Sequence, residues 1–392
     1  MHRGLQAQQQ RVSVPLDKKK DTCPDVVVDV NGKGQGSKYY RVTSEPLGKG
    51  GFAICYSFED ANGSPLAVKV VTEASLAAKD KPNKTNKHRE KLASEIAIHR
   101  TLDHQNVVRL KKTFTDRSNT YLVMQRCDNG TMSQYVRQRR RLTEPEARYY
   151  AMSLIQGVQY LHENRVVHRD LKLSNLFLTD NMVLKIGDFG LASMLSEPGE
   201  RRRTMCGTPN YIAPEVITTH LYKTKRGGSD INSLPDSLKH GHTFGADTWG
   251  IGIIIYAMLY GRCPFEGKSN EKKHSVDLTY KNIMYEDVQF DHSAPVSRDA
   301  RSLIRGLLIK NPDDRMTLDE ALKHDWFNSS KGNWTPECIQ PCLLFDIPSF
   351  ATTEYIEYID RLNRESVHAK RRRGLSNREE ARHHQERERE AE

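Results

Sequence analysis

The chain has 392 residues, 37% of them hydrophobic and 28% charged, with a formal net charge of +10. That balance suits a globular protein of one large or two to three small domains, and no recurring period points to a collagen, coiled-coil or repeat protein. Seven scattered cysteines without a C-x-x-C pair read as reduced thiols of a cytosolic or nuclear protein, not as a disulfide frame. The N-terminus lacks the apolar run of a signal peptide. The longest apolar stretch, residues 251–259, falls short of the about 20 residues that span a bilayer.

Residues 1–38 are polar and basic and read as a flexible arm, with Val26-Val27-Val28 as a candidate short strand. Residues 41–47, 53–59 and 66–72 are β-branched or aromatic-rich runs between Gly and Pro turns, and predict strands. Residues 88–101 predict a helix on Leu92, Ile96 and Ile98. Helices dominate from Thr143, an N-cap followed by Glu144, Pro145 and Glu146. Tyr149, Met152, Ile155, Val158 and Leu161 make the apolar stripe of that helix. Residues 219–240 read as a polar insertion, and 361–392 as a charged, solvated segment. The expected division is an arm over 1–38, a main domain over 39–345 carrying the insertion, and a charged tail over 346–392.

The chemistry lies in four places. Leu47-Gly48-Lys49-Gly50-Gly51-Phe52-Ala53-Ile54-Cys55 joins two strands, and Gly48 and Gly50 remove side chains where backbone must approach a phosphate. Ala53 and Cys55 stand where the usual pattern has a third glycine and a valine. Lys69 lies in an apolar strand and must find an anion, because an unpaired buried ammonium is costly. Glu95 follows on the predicted helix; the plain alternative is an ordinary surface ion pair. Further on come Asp170 and Asn175 in one loop and Asp188 in Asp188-Phe189-Gly190. Asn175 and Asp188 offer oxygen ligands to Mg²⁺, leaving Asp170 for a substrate hydroxyl.

In this order the elements resemble the eukaryotic protein kinases over about residues 41–327, through Ala213-Pro214-Glu215, Asp247-Thr248-Trp249-Gly250-Ile251-Gly252 and Arg315. The resemblance implies an α+β bilobal fold, with a β-rich N-lobe, a helical C-lobe and ATP in the cleft. It implies a buried structural pair of Glu215 with Arg315, and a Lys69–Glu95 pair gripping the α- and β-phosphates. The nucleotide site would include Leu47, Gly48, Lys49, Gly50, Gly51, Phe52, Ala53, Cys55 and Ala67. Met124 would be the gatekeeper before a hinge of Gln125, Arg126 and Cys127, and Phe177 the pocket floor. Lys172, two residues after Asp170, is the Ser/Thr-kinase pattern, with Thr208 orienting both. Thr204 would be the activating phosphosite and Arg169 its partner.

Several stretches are similar to the polo-like kinases: residues 47–55, 94–100, 142–150 and 204–215. In that family His99 would join an apolar column with Phe189 and His168, and it reads here as a satisfied buried histidine. The stretch after Phe327 is too short for a polo box with its linker, and the 219–240 insertion is atypical of the family. The expectation is an active Mg·ATP-dependent Ser/Thr kinase lacking polo boxes; the alternative is a pseudokinase scaffold. Expected partners are protein substrates and an upstream activating kinase. The expected protein is monomeric, binds neither membrane nor specific nucleic acid, and lies in cytoplasm or nucleus, with centrosome, spindle or basal body implied by the family.

Overall fold

The computed structural model describes residues 23–29, 36–51, 53–77, 87–197, 199–224, 238, 241–267 and 275–328. By internal contacts the chain forms two compact units, one holding residues up to Glu90 and Leu110–Arg126, the other Lys91–Arg109 and the chain from Cys127.

The first unit is a six-stranded antiparallel sheet. Its strands are β1 (Val26–Asp29), β2 (Ser37–Lys49), β3 (Ala53–Asp60), β4 (Pro65–Thr72), β5 (Leu110–Thr115) and β6 (Asn119–Gln125), in the order β1-β2-β3-β4-β6-β5. The β3–β4 hairpin closes on turn chemistry: the Asp60 carboxylate accepts from the N–H groups of Asn62 and Ser64, each at 2.9 Å, and Gly63 takes a φ of +76°. Pro46 has no N–H for the ladder, and the β2–β3 register slips on both sides of it. One face carries Val27, Tyr39, Tyr56, Phe58, Val68, Val70, Phe114, Tyr121 and Val123 as a buried cluster. The sheet curls, because its two edge strands meet. Tyr39 on β2 stacks on Phe114 of β5 at 5.6 Å, and Lys112 on β5 pairs with the buried Asp29 of β1 at 2.5 Å. Strand β1 therefore belongs to the sheet, and residue 39 falls inside β2. The candidate strand at Val26-Val27-Val28 is present and extends to Asp29, with Val27 and Asp29 on its buried face, while most of the expected arm lies outside the described residues.

Two helices follow β4: α1 (Glu73–Ala77), which sequence periodicity does not indicate, and α2 (Lys87–His99). In the second unit the helices are α3 (Met132–Arg139), α4 (Glu144–Glu163), α5 (Pro214–Thr224), α6 (Gly245–Tyr260), α7 (Val276–Tyr285), α8 (Arg298–Leu307), α9 (Leu318–Lys323) and α10 (Asp325–Asn328). Short ladders pair β7 (Val166–Val167) with β10 (Ser193–Met194) and β8 (Leu176–Leu178) with β9 (Leu184–Ile186).

Helix α4 starts as its sequence requires. The Glu146 carboxylate turns back to accept from the Thr143 N–H at 2.8 Å and from its hydroxyl at 2.6 Å. Its buried face differs from the expected stripe. Ile155, Val158 and Leu161 are fully buried, but Tyr149 and Met152 are half-buried while Tyr150, Ala151 and Leu154 fill the core. Helix α6 is apolar all round, and a helix without a polar face must be covered on every side; it is the buried axis of the unit. It ends at Gly261, whose φ of +71° suits glycine and whose missing side chain lets the Arg140 carbonyl approach. Helix α5 runs into the first residues of the expected insertion, and Leu238 near its end is buried. The rest of the insertion and the tail over 346–392 lie outside the described residues.

Candidate active site

In the second unit, the loop after β7 is fixed from below by one carboxylate. Asp247 on α6 accepts from the N–H groups of His168 and Arg169, each at 2.8 Å, and faces His162 Nε2 at 3.0 Å. Burial works to raise this carboxyl, but the bonds from His162 and the backbone outweigh it and hold it below the ordinary range. Arg169 is thereby kept at a φ of +64°, a conformation costly for a non-glycine residue.

Four of the expected site residues form one bonded cluster there. Asp170 Oδ2 accepts from Lys172 Nζ at 2.6 Å and from Asn175 Nδ2 at 3.2 Å. Thr208 donates to Asp170 Oδ1 at 2.8 Å, and Lys172 donates to Thr208 at 2.9 Å. Asn175 also donates to the Asp170 carbonyl at 2.9 Å. Nearby, Asp188 has a φ of +62°. A side chain at Gly190 would stand 3.3 Å from Asp188 Oδ1 and 3.4 Å from Glu95 Oε2, so glycine there leaves room between two carboxylates. Phe189 lies between His99, at 4.7 Å, and His168, at 5.3 Å. His99 is buried with Nε2 2.7 Å from the Val108 carbonyl, the satisfied histidine expected of it.

In the first unit, the sheet register gathers the other expected residues. Cα partners in an antiparallel pair share a face, and so do residues two apart on one strand. Gly48 lies across from Cys55, Cys55 from Lys69, Lys69 from Leu122, and Ala67 from Met124. Gly48, Cys55, Lys69, Ala67 and Met124 therefore share one face, opposite to the buried cluster of Tyr56, Val68, Val70 and Val123. The Gly50 N–H donates to the Ala53 carbonyl at 2.8 Å and closes the turn; Leu47, Lys49 and Gly51 are exposed, and Phe52 lies outside the described residues. Burial pushes the Cys55 thiol up to about 11, against the opposing charge of Lys69. The chain leaves this unit after Arg126, within the expected hinge. Beyond it, burial pushes the Cys127 thiol up to about 12, and Phe177 on β8 packs against Gly187.

The sequence profile of the protein kinase domain matches residues 41–327. The chain belongs to the protein kinase family. It is similar to the cell cycle serine/threonine-protein kinase CDC5/MSD2 of Saccharomyces cerevisiae, 37% identical over 81% of this chain and 40% of that protein. It is 41% identical to the probable serine/threonine-protein kinase CCRP1 of Zea mays over 72% of this chain and 40% of that one. The serine/threonine-protein kinase polo of Drosophila melanogaster is 36% identical over 88% of this chain and 52% of its own length. The chain thus spans about half or less of these relatives. The polo-like resemblance carried by the motifs agrees with them. Protein kinases in general use ATP with a divalent metal and act on proteins.

In the second unit, Thr204 is exposed. Arg169, its expected partner, already donates Nε to the Leu191 carbonyl at 2.7 Å and Nη2 to that of Ala192 at 3.4 Å. Both Nη1 hydrogens and one on Nη2 lie beyond these two bonds, so the fork needed for a bidentate contact is open. The expected Glu215–Arg315 pair is present, with Arg315 donating at 2.8 and 2.9 Å to the two carboxylate oxygens. Two residues escape sequence reasoning. His162 reads only as a helix residue, and its partner Asp247 lies 85 residues further along the chain. His242 carries no signal, since it ends a polar stretch; its backbone exchanges two hydrogen bonds with Arg202, at 2.9 and 2.8 Å.

Proposed function

We propose that the chain is an ATP-dependent serine/threonine protein kinase of polo-like type. The bonded cluster of Asp170, Lys172, Asn175 and Thr208 carries this reading, because it joins a carboxylate for the acceptor hydroxyl to a cation for the transferred phosphoryl group. Asp170 orients the substrate hydroxyl and takes its proton. Lys172 offsets charge developing on the phosphoryl oxygens, and Thr208 holds both groups in register. Lys69 neutralises the α- and β-phosphates, and Glu95 positions Lys69. Gly48, Gly50 and Gly51 let the turn approach phosphate, while Leu47, Ala53, Cys55, Ala67, Met124 and Phe177 offer the adenine an apolar surface.

Asn175 and Asp188 would hold the metal. Among the described residues no group of three or more His, Cys, Asp or Glu gathers. A cation held by one amide and one carboxylate is completed by phosphate oxygens and water, which is the habit of Mg²⁺. When bound, the metal neutralises phosphate charge. A scaffold binding nucleotide without catalysis is disfavoured by the presence of Lys69, Asp170 and Asp188 together.

The name of the yeast relative supports a cell-cycle role, and the family supports action at centrosome, spindle or basal body. The proposed protein acts as a monomer on Ser/Thr proteins and is switched at Thr204 by an upstream kinase. The full chain, incubated with Mg·ATP and a Ser/Thr peptide library, should transfer phosphate to Ser and Thr but not Tyr. Asp170→Asn should remove the transfer; activity unchanged by it would refute the reading.

A further inference from the structure

Behind the catalytic loop lies a small cavity of about 20 Å³. Its wall includes Arg169, Asp170, Cys206, Thr208, His242 and Asp247. His242 is only 2% exposed, and among the described residues neither Nδ1 nor Nε2 meets a donor or acceptor. A buried imidazole with two unmatched nitrogens is rare, since such groups bond to protein or to ordered water. A cavity needs roughly 10–15 Å³ of probe space to hold a water, together with polar partners. This one meets both conditions.

We infer that this cavity is a binding site for one water molecule, and that through it His242 is a positioning residue for Arg169 and the adjacent Asp170.

The placement gives that role its mechanism. Arg169 holds a left-handed backbone conformation, which persists only where neighbours fix it from several sides. Asp247 fixes its N–H from one side, and Leu191 and Ala192 take Nε and Nη2. The water supplies the remaining support from the side of His242. His242 is itself fixed to the segment carrying Thr204, through both hydrogen bonds with Arg202. A side chain at Gly241 would collide with the Arg202 carbonyl, so the two stretches lie in close contact. Displacement of the segment at Arg202 is thus passed to the loop that holds Asp170. His242 stays neutral near pH 7, because burial and then Arg169 lower it to about 4, so it presents one donor and one acceptor to the water.

The inference rests on the kinase reading for its kinetic arm alone. A crystal structure of the full chain, at a resolution that shows ordered water, should place one peak within hydrogen-bond distance of a His242 ring nitrogen. A dry cavity overturns the site, and so does bromide in it after a halide soak. In peptide phosphorylation, His242→Phe, which fills the space with an apolar ring, should lower kcat about tenfold, the scale of one neutral hydrogen bond. The KM for ATP should stay unchanged. His242→Gln, which keeps a donor and an acceptor, should recover most of the loss. Wild-type kcat in His242→Phe, or equal loss in the Gln variant, overturns the positioning role. If wild type transfers no phosphate, the kinase reading fails, while the crystallographic arm still decides the water.

Discussion

Arg315 and Glu215 meet through two charge-assisted hydrogen bonds with both side chains about 1% exposed. Arg315 further donates to the carbonyls of Gly245 at 2.6 Å, Ile309 at 2.9 Å and Lys310 at 3.1 Å. One guanidinium thus ties the start of α5, the start of α6 and the turn after α8. Arg315→Ala leaves a buried carboxylate without its cation and removes three bonds to carbonyls, and should cost about 3–5 kcal/mol. Urea unfolding measures it. Replacing both charges with Met should regain only part, since the three bonds to carbonyls stay lost. A loss below about 1 kcal/mol in Arg315→Ala would contradict this account of the pair.

Lys69→Met and Asp188→Asn should each abolish peptide phosphorylation while the chain stays folded. Each removes a group assigned to phosphate charge, directly or through the metal. Circular dichroism and a thermal melt check the fold. Wild-type turnover in either variant would remove that residue from the proposed machinery.

Much of the site is legible in the sequence because its residues act at short range. Asp170, Lys172 and Asn175 lie within one loop, and a carboxylate needs its cation and amide close by, so spacing alone points to the cluster. Lys69 is legible because an ammonium inside an apolar strand demands an explanation. The support is less visible. Asp247 reaches the loop from a helix far along the chain, and nothing local at His162 or His242 announces a partner. Strand β1 is hard to assign because four residues of alternation are too short to outweigh a polar surrounding. The buried face of α4 departs from the expected stripe at Tyr149 and Met152 because a helix contacted on several sides has no single stripe.

His242 predicts a pH dependence. Burial, then Arg169, hold its pKa at about 4, with Arg202 acting in the same direction and Glu215 and Asp247 against it. The unfolded histidine takes its proton near 6.5. Between these values the unfolded chain binds a proton that the folded chain does not, so stability falls as pH drops from 6.5 towards 4. The difference of about 2.5 pH units corresponds to about 3 kcal/mol at the acid end. His242→Gln should flatten that limb in urea unfolding measured at pH 7 and pH 5. An unchanged slope would show that the ring is not buried in its neutral form.

Thr204 should switch the activity. It is exposed, and it lies between two anchored points. On one side Arg202 is paired to His242; on the other, Cys206 and Gly207 sit on the wall of the cavity shared with Arg169. A phosphate on Thr204 brings about −1.5 to −2 charges within a segment already held close to that guanidinium. Arg169 keeps both Nη1 hydrogens and one on Nη2 beyond its bonds to Leu191 and Ala192, so its fork can meet the phosphate with both bonds kept. Thr204→Val should lower kcat severalfold or more, Thr204→Asp should restore part of it, and Arg169→Ala should remove the benefit of the Asp. The measurement is peptide phosphorylation by protein purified from its native cell, with the Thr204 phosphate quantified by mass spectrometry. Full activity in Thr204→Val would place the switch elsewhere in the chain.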